Sequence, residues 1–253
     1  NGLIKFNIHY FKKAALLSMF GMAGWTMLHT LGDTALYQMD VFFLNRFWGT
    51  KISGIFGSFS VFGGYVIEMV SVVTSLFGPL ILADYSKNKH EELQTLALHT
   101  SVVIGGISSA LIGVVISFSI PFISNWLSPE YAKYWIWMAI KISWIPFYAS
   151  AGIYAFVFRS HNLVKVPALI TLFIGIVNVL ILGILYKYSK GNMNFIPYGL
   201  GLTGLLSISQ SYILNAFWFN HIYPNNGLQI FKNTLIIMLS LAVSICIGKS
   251  FSY

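Results

Sequence analysis

Long apolar runs alternate with short polar breaks along the chain. A transmembrane helix needs roughly 20 mostly apolar residues, and the runs predict helices at about 14–44, 53–83, 98–123, 135–158, 166–186, 198–220 and 230–248. Because the connectors between these runs are short, consecutive helices are predicted to pack as antiparallel neighbours. The pattern predicts an all-α fold, a polytopic membrane bundle of about seven transmembrane helices.

Two positions in this pattern are typical of helix bends. The second predicted helix is too long for one perpendicular crossing, and it can bend at Gly63–Gly64 or at Gly78–Pro79. Pro146 lies inside the fourth predicted helix, one turn beyond Lys141. Gly78, Pro79 and Pro146 are therefore the hinge candidates.

Composition excludes a water-soluble domain. Charged residues make up 9% of the chain and apolar residues 57%, whereas charged residues are about a quarter of an ordinary soluble domain. Many Trp and Tyr residues stand near the ends of the apolar runs, as is typical of membrane interfaces. The net charge of +8 is spread over several connectors, so we expect contact with membrane lipids and not with nucleic acid.

Motifs for catalysis, cofactors and metals are missing from the sequence. The run Gly199–Gly204 matches G-x-G-x-x-G, but it opens a membrane helix and follows no strand, so it predicts close helix packing and not a dinucleotide site. H-E-x-x-H, paired-cysteine and G-x-S-x-G patterns do not occur. We therefore expect no enzyme activity, no cofactor and no metal site.

Four ionisable residues fall inside the predicted helices: Asp33, Asp40, Glu68 and Lys141. Each costs roughly 2.5–3.5 kcal/mol to insert at membrane depth, which makes each a functional candidate. His29, Asp33 and Asp40 follow one another at helical spacing and are predicted to form one polar stripe. His29 by itself is more typical of a packing residue.

Asp40 and Lys141 are predicted to lie at similar depth, so the two can form an ion pair. The pair is then either a neutralising structural contact or part of a polar cavity, and the sequence leaves both open. Asp33 lies deeper without an obvious cationic partner, and we expect it either to carry a coupled proton or to be hydrogen-bonded locally. Glu68 is placed near the middle of its long helix.

An ordered set of motifs resembles one family of transporters. The segment Asp40–Gly49 reads DVFFLNRFWG, followed by ISGIF at Ile52–Phe56 and GPLILADYSK at Gly78–Lys87. NWL at Asn125–Leu127, KVPALIT at Lys165–Thr171 and YGLG at Tyr198–Gly201 then follow. Together they resemble the polysaccharide and lipid-linked oligosaccharide flippases, relatives of the multidrug and toxin extrusion antiporters.

The resemblance implies a two-lobed architecture of which this chain is one lobe. Residues 1–13 are then a cytoplasmic linker, 14–222 a six-helix transporter lobe, and 223–253 an additional transmembrane helix. The chain begins with Asn1, and we expect it to be the C-terminal lobe, whose partner is the missing N-terminal lobe of the same protein. Lys and Arg counts in the connectors favour a cytoplasmic N-terminus.

The function implied by the resemblance is export of a polyprenyl-diphosphate-linked oligosaccharide across the cytoplasmic (inner) membrane, for surface polysaccharide or lipopolysaccharide synthesis. Lys141, Arg46 and Arg159 are the cations that suit the diphosphate. Asp33, Asp40 and Glu68 are the coupling or gating candidates, with H⁺ or Na⁺ as the coupling ion. The alternatives are a cation-coupled multidrug antiporter of the same fold, a membrane-embedded glycan polymerase or acyltransferase, and a structural subunit.

Overall fold

The computed structural model describes residues 13–251, with side chains described for Gly21 and from Ala23 onward. All regular structure in this range is helical. The predicted cytoplasmic linker, 1–13, lies outside the described residues except for Lys13, where the first helix begins.

Eleven α-helices follow one another in residues 13–251, with short 3₁₀ turns at Pro129–Tyr134 and Met193–Phe195 and a π-helical turn at Ser209–Leu214. The α-helices are α1 Lys13–Tyr37, α2 Met39–Ser75, α3 Gly78–Ser86, α4 His90–Ser117, α5 Ser119–Trp126, α6 Trp135–Ser143, α7 Ile145–Ser160, α8 Lys165–Tyr188, α9 Ile196–Ile208, α10 Asn215–Ile222 and α11 Gly227–Ser250.

Five helical segments in the described range are long and apolar enough to cross a membrane: Ala23–Ser86, His90–Ser117, Pro129–Ser160, Lys165–Tyr188 and Gly227–Ser250. The first has 64 residues, about three times the roughly 20 that a single crossing requires. The predicted fold class is confirmed: the chain is an all-α, multi-pass membrane bundle.

Gly49 divides the long first segment. Its φ of +82° and ψ of 178° interrupt α2, and glycine adopts this backbone conformation at little cost because it has no Cβ. The break falls inside the connector that the sequence predicts between the first two helices. Residues 13–48 therefore form a first pass through the bundle, and residues 50–86 form a second.

Contacts between helices establish the direction of each pass. Gly32 lies beside Thr171, and further along Gly183 lies beside Phe43, so the first pass runs parallel to α8. The second pass runs parallel to the fourth pass, which consists of α6 and α7. Gly63 lies beside Ile142, and further along Thr74 lies beside Gly152.

The last pass, α11, packs along α4. Asn233 donates to the Leu98 carbonyl at 2.9 Å, and Ser117 Oγ donates to the Ile245 carbonyl at 3.0 Å, so α11 runs parallel to α4. Lys249, at its end, lies 5.9 Å from the Trp135 ring, at the start of the fourth pass. Odd and even passes therefore run in opposite directions, as short connectors require.

Two glycines allow α1 and α8 to touch along their backbones. A Cβ on Gly32 would lie 2.6 Å from the backbone of Thr171 and Leu172, and one on Gly175 would lie 2.5 Å from the Gly32 carbonyl oxygen. Small residues at such crossings let membrane helices approach closely.

Gly32→Ala is expected to lower the free energy of unfolding by about 1–3 kcal/mol, because the added methyl group forces the two backbones apart. The measurement is denaturant unfolding in detergent micelles. Gly106→Ala in α4 is the matched control, since a Cβ added there would meet no neighbouring atom within 4 Å. Equal stability of the two variants would contradict the close α1–α8 contact.

The helices break at Gly78–Pro79 and next to Pro146, whereas α2 continues through Gly63–Gly64 without a break. α2 ends at Ser75 and α3 begins at Gly78, with Pro79 in its first turn. α6 ends at Ser143 and α7 begins at Ile145, with Pro146 in its first turn. Proline is well tolerated in the first turn of a helix. Movement at these breaks stays a prediction.

Candidate functional site

A cavity of about 260 Å³ lies between α1, α2, α7, α8 and the π-helical turn. One wall is aromatic, with Trp25, Tyr148 and Phe156. The polar part of the lining includes His29, Gln210, Ser211, Asn215 and Arg159. Ligand sites are typically such clefts, with a few polar groups placed on a mostly apolar lining.

The π-helical turn at Ser209–Leu214 supplies two of the polar residues in the cavity wall, Gln210 and Ser211. π-helical turns of this kind occur frequently at functional sites. Both polar atoms of the Gln210 side-chain amide are hydrogen-bonded. Its Nε2 donates to Thr171 Oγ1 at 2.6 Å, and its Oε1 accepts from the Tyr37 hydroxyl at 3.1 Å. The turn is thus tied to both α1 and α8.

Two cations lie at one end of the cavity, where α7 ends and α8 begins. The Arg159 guanidinium lies 5.5 Å from the Phe156 ring, and Lys165 Nζ lies 5.3 Å from the Trp25 ring. Both side chains are exposed, and both rings line the cavity. The arrangement places two positive charges beside the aromatic wall, where cation–π attraction favours them.

Asp33 contacts the other polar residue of the predicted stripe on α1. His29 Nδ1 lies 3.1 Å from Asp33 Oδ2, one helical turn away, and the two side chains are 37% and 27% exposed. His29 lines the cavity. Of the two alternatives that the sequence left open for Asp33, this contact favours local hydrogen bonding.

Asp33→Asn is expected to change the free energy of unfolding by less than about 1 kcal/mol, because half-exposed ion pairs contribute little to stability. One oxygen of the carboxylate, Oδ1, is buried without a hydrogen-bond partner, so an amide in its place loses no bond there. Thermal unfolding of the purified variant is the measurement. A loss as large as that from breaking a buried ion pair would show that Asp33 is structural.

Asp40 and Lys141 form the ion pair that the sequence allowed. Lys141 Nζ lies 2.6 Å from Asp40 Oδ2, and it also donates to the Tyr37 carbonyl at 2.9 Å. Asp40 Oδ1 accepts from the Val41 backbone amide at 2.8 Å. The side chains of Lys141 and Asp40 are 8% and 0% exposed, and neither lines the 260 Å³ cavity. Of the two alternatives left open, this conformation favours the neutralising structural contact.

Three aromatic rings lie between the ion pair and the cavity: the Tyr37 carbonyl accepts from Lys141, and Tyr148 lines the cavity. Tyr37 and Trp144 stack with their centroids 4.6 Å apart, and Tyr148 meets both rings edge-on at 5.7 Å. Trp144 stands at the break between α6 and α7, directly before Ile145 and Pro146. We call Tyr37, Trp144 and Tyr148 the aromatic partition. A bend at that break would move Trp144 and alter the partition.

The remaining sequence candidates are not brought to the cavity as one group. Arg46 is exposed at the end of the first pass, and Arg159 lies at the opposite end of the bundle, after the fourth pass. Glu68 is exposed on α2 beside Tyr65, Met69 and Val72, which are 60%, 71% and 66% exposed. The predicted cations Arg46, Arg159 and Lys141 therefore do not form one cluster.

Sequence reasoning missed several residues of the cavity and the partition, chiefly Trp25, Tyr37, Tyr148 and Gln210. Tyr37 could have been found, because His29, Asp33 and Tyr37 repeat at intervals of four along α1. Gln210 could not, because it is 173 positions from its partner Tyr37. Only the fold brings these two together.

The chemistry available in this region is that of binding. No group of three or more His, Cys, Asp or Glu side chains is placed to hold a metal ion among the described residues. What the cavity offers is aromatic faces, amides and hydroxyls inside the bundle, an imidazole–carboxylate pair, and two cations at one end.

Comparison with known proteins gives a distant similarity. The chain is 24% identical over 198 residues to EpsK, an uncharacterized membrane protein of Bacillus subtilis strain 168. The alignment covers 75% of this chain and 37% of EpsK, so the chain spans well under half of that protein's length. No protein-family model matches the chain, and no solved structure matches it. Similarity to a membrane protein agrees with the helical bundle.

Proposed function

We propose that the chain is one lobe of a transporter that moves a polyprenyl-diphosphate-linked oligosaccharide from the inner to the outer leaflet of the cytoplasmic membrane, for surface polysaccharide synthesis. The observation that carries this proposal is a polar and aromatic cavity within a membrane bundle, with Arg159 and Lys165 at one end. No bond is made or broken in this process.

The charged and the uncharged groups of the cavity match the two polar parts of such a substrate. Arg159 offers a planar guanidinium and Lys165 a point charge, and both groups bind phosphate oxygens well. The flat faces of Trp25 and Tyr148 suit sugar rings, whose C–H surfaces are apolar, while the amide and hydroxyl groups of the lining suit sugar hydroxyls. The polyprenyl tail remains in the hydrocarbon.

The cavity accommodates only part of an oligosaccharide. Its 260 Å³ is slightly below the range of about 300–1,000 Å³ that is typical of sites for drug-sized ligands. A chain of several sugars therefore needs further polar surface beyond this lobe. The matched 37% of EpsK is in keeping with a longer protein that supplies a second lobe.

Glu68 supports the presence of that second surface. Its carboxyl group stands about midway along the second pass, on a face that is otherwise apolar and exposed. Ionisable groups at membrane depth almost always face a water-filled cavity or other protein. The Glu68 face of α2 is therefore proposed to border the substrate pathway, opposite the missing lobe.

Coupling is assigned to the His29–Asp33 pair, because it is half-exposed and lies at the cavity. Binding of H⁺ or Na⁺ there changes the charge next to Tyr37 and Tyr148, two members of the aromatic partition. Movement at the break beside Trp144 then opens the bundle alternately to each side. The buried Asp40–Lys141 pair holds the first pass to α6 throughout.

A cation-coupled drug antiporter of the same fold is the second candidate. The observation in its favour is the Asp33 carboxylate beside aromatic rings, an arrangement that suits an organic cation. The two functions differ in the role of Arg159 and Lys165, which attract a diphosphate and repel a cationic drug.

The experiment is complementation of a strain lacking the full-length protein. The wild-type gene is expected to restore surface polysaccharide, whereas Arg159→Gln with Lys165→Gln is expected to leave lipid-linked oligosaccharide accumulated in the inner leaflet. Lys187→Gln with Lys190→Gln, at the opposite end of α8, is the matched control and should complement normally. Normal export by the Arg159 and Lys165 variant, or drug sensitivity as the only phenotype of the deletion, would overturn the proposal.

A further inference from the structure

Four aromatic side chains meet at the end of the bundle where Arg159 and Lys165 lie. Tyr85 belongs to α3, His90 begins α4, His161 follows α7, and Tyr223 follows α10. The Tyr223 hydroxyl lies 3.0 Å from His161 Nε2 and 3.4 Å from His90 Nδ1. The Tyr85 and His161 rings are 4.5 Å apart. One hydroxyl therefore bridges two histidines from different helices.

The connectors that carry these residues are tight turns. Each turns through an asparagine with positive φ, at Asn88, Asn162 and Asn225, a conformation that asparagine tolerates better than most residues. The histidines and the tyrosine are thus held on short, defined loops. Their hydrogen bonds fix the relative positions of the connectors 87–89, 161–164 and 223–226.

The direction of the hydrogen bonds follows from the His161 surroundings. His161 Nδ1 lies 2.9 Å from the Val157 carbonyl, which can only accept, so Nδ1 carries a proton. In neutral His161, Nε2 therefore accepts from the Tyr223 hydroxyl, and the Tyr223 oxygen accepts from His90 Nδ1. Burial raises the pKa of Tyr223, so its hydroxyl keeps its proton.

One added proton can be accommodated in this chain of hydrogen bonds. If His161 is protonated, its Nε2 donates to Tyr223, the Tyr223 hydroxyl turns to donate to His90 Nδ1, and His90 carries its proton on the other nitrogen. Every group is still paired. The two hydrogen bonds of the Tyr223 hydroxyl have only reversed their direction.

Two added protons cannot be accommodated. Both imidazolium rings then point N–H groups at the same oxygen, and the Tyr223 proton has no acceptor. A buried hydroxyl without an acceptor is destabilising, and two positive charges flank it. The contact is therefore present when at most one histidine is charged and is lost when both are.

The other titratable groups nearby do not replace these contacts. His161 contacts Tyr85 and Tyr223 directly, and Tyr223 contacts His90. Arg159 lies near the end of α7, the helix that His161 follows. The acids Asp84, Glu91 and Glu92 line a separate groove between α3 and α4. Asn226 donates to Gln94 at 3.0 Å, a bond that does not titrate and keeps connector 223–226 on α4. Connector 161–164 is joined to connector 223–226 through His161 and Tyr223, and its backbone is bonded to α7 through the Leu163 amide and the Phe158 carbonyl at 2.8 Å.

We propose that His90, Tyr223 and His161 form a pH-sensitive latch that holds connector 161–164 against the neighbouring connectors and releases it when both histidines are protonated. Connector 161–164 joins α7 to α8 between Arg159 and Lys165, the two cations at the cavity. Release of the latch thus changes the spacing of those cations. The latch follows from hydrogen-bond geometry and does not depend on the transport proposal.

The test is a distance measurement between spin labels on Lys87→Cys and Leu163→Cys in the full-length protein in lipid nanodiscs. The exposed Cys246 is first replaced by serine. Spectra are compared about one pH unit above and one below the ordinary histidine pKa of about 6.5. The short-distance population is expected to be lost as the pH falls across this range.

Three variants make the outcome decisive. His90→Gln can never reach the doubly charged state, so it is expected to keep the short distance at both pH values. Tyr223→Phe is expected to lose the short distance at both. His99→Gln, an exposed histidine of the same helix α4, is the matched control and should respond like the wild type. A wild-type distance that ignores pH, or a His90→Gln variant that still responds like the wild type, would overturn the latch.

Discussion

Lys141→Met is expected to destabilise the bundle by about 3–5 kcal/mol, because it leaves the Asp40 carboxylate as an unpaired charge in the interior. Asp40 is fully buried, and Lys141 is its salt-bridge partner at 2.6 Å. The same substitution leaves the Tyr37 carbonyl without its Lys141 donor. Reversible unfolding in mixed detergent micelles, followed by near-ultraviolet circular dichroism, gives the free energy directly.

The matched control removes both charges. Asp40→Leu combined with Lys141→Met replaces the ion pair by apolar side chains of similar volume and is expected to recover most of the lost stability, since buried pairs are often no more stabilising than apolar packing. If the double variant is as unstable as Lys141→Met, the deficit comes from packing. The unpaired Asp40 carboxylate would then not be the cause of the lost stability.

Ala155→Trp is expected to abolish export of surface polysaccharide while leaving the protein in the membrane. Ala155 lines the 260 Å³ cavity, and an indole ring at this position occupies much of the space proposed for a sugar ring. The measurements are surface polysaccharide by immunoblot and protein abundance in the membrane fraction. We expect polysaccharide to fall at least about tenfold, which corresponds to about 1.4 kcal/mol of lost binding.

Val103→Trp is the control for the added indole. Val103 is 56% exposed on α4, away from the cavity, so a larger apolar side chain there faces lipid. Export should stay normal, with a melting temperature close to that of Ala155→Trp. Normal export by Ala155→Trp would show that the substrate does not enter this cavity.

Helix positions could be predicted from the sequence because apolar runs of membrane length have few alternative explanations. Two breaks within the helices were predictable because glycine or proline marks them, at Gly78 and Pro146, whereas α2 is continuous at the other predicted bend, Gly63–Gly64. The π-helical turn at Ser209–Leu214 was not, because its residues differ little from those of an ordinary membrane helix.

The depth of a residue in the bundle was easier to predict than the side of the helix it faces. Depth alone brought Asp40 and Lys141 together, since the distance from each to the nearest polar connector is similar. Depth also placed Glu68 midway along its helix, but its exposure depends on which neighbours α2 packs against. That information lies in contacts between distant parts of the chain.

Asp33 shows what helical spacing can predict. The spacing of His29 and Asp33 places them on one face of α1, and the two side chains meet there at 3.1 Å. Tyr37, one turn further on, continues the same face and reaches Gln210. Polar residues at intervals of four along one membrane helix are better treated as a single group than one at a time.

The central claim is that this lobe takes part in moving a lipid-linked oligosaccharide across the bilayer. The direct test uses the purified full-length protein in vesicles that contain a polyprenyl-diphosphate sugar with a fluorescent label on the sugar, and measures how much label a membrane-impermeant quencher reaches. Wild-type and Val103→Trp vesicles are expected to expose the label from both leaflets, and Ala155→Trp vesicles only from the outer one. Equal quenching in protein-free and wild-type vesicles would contradict the account.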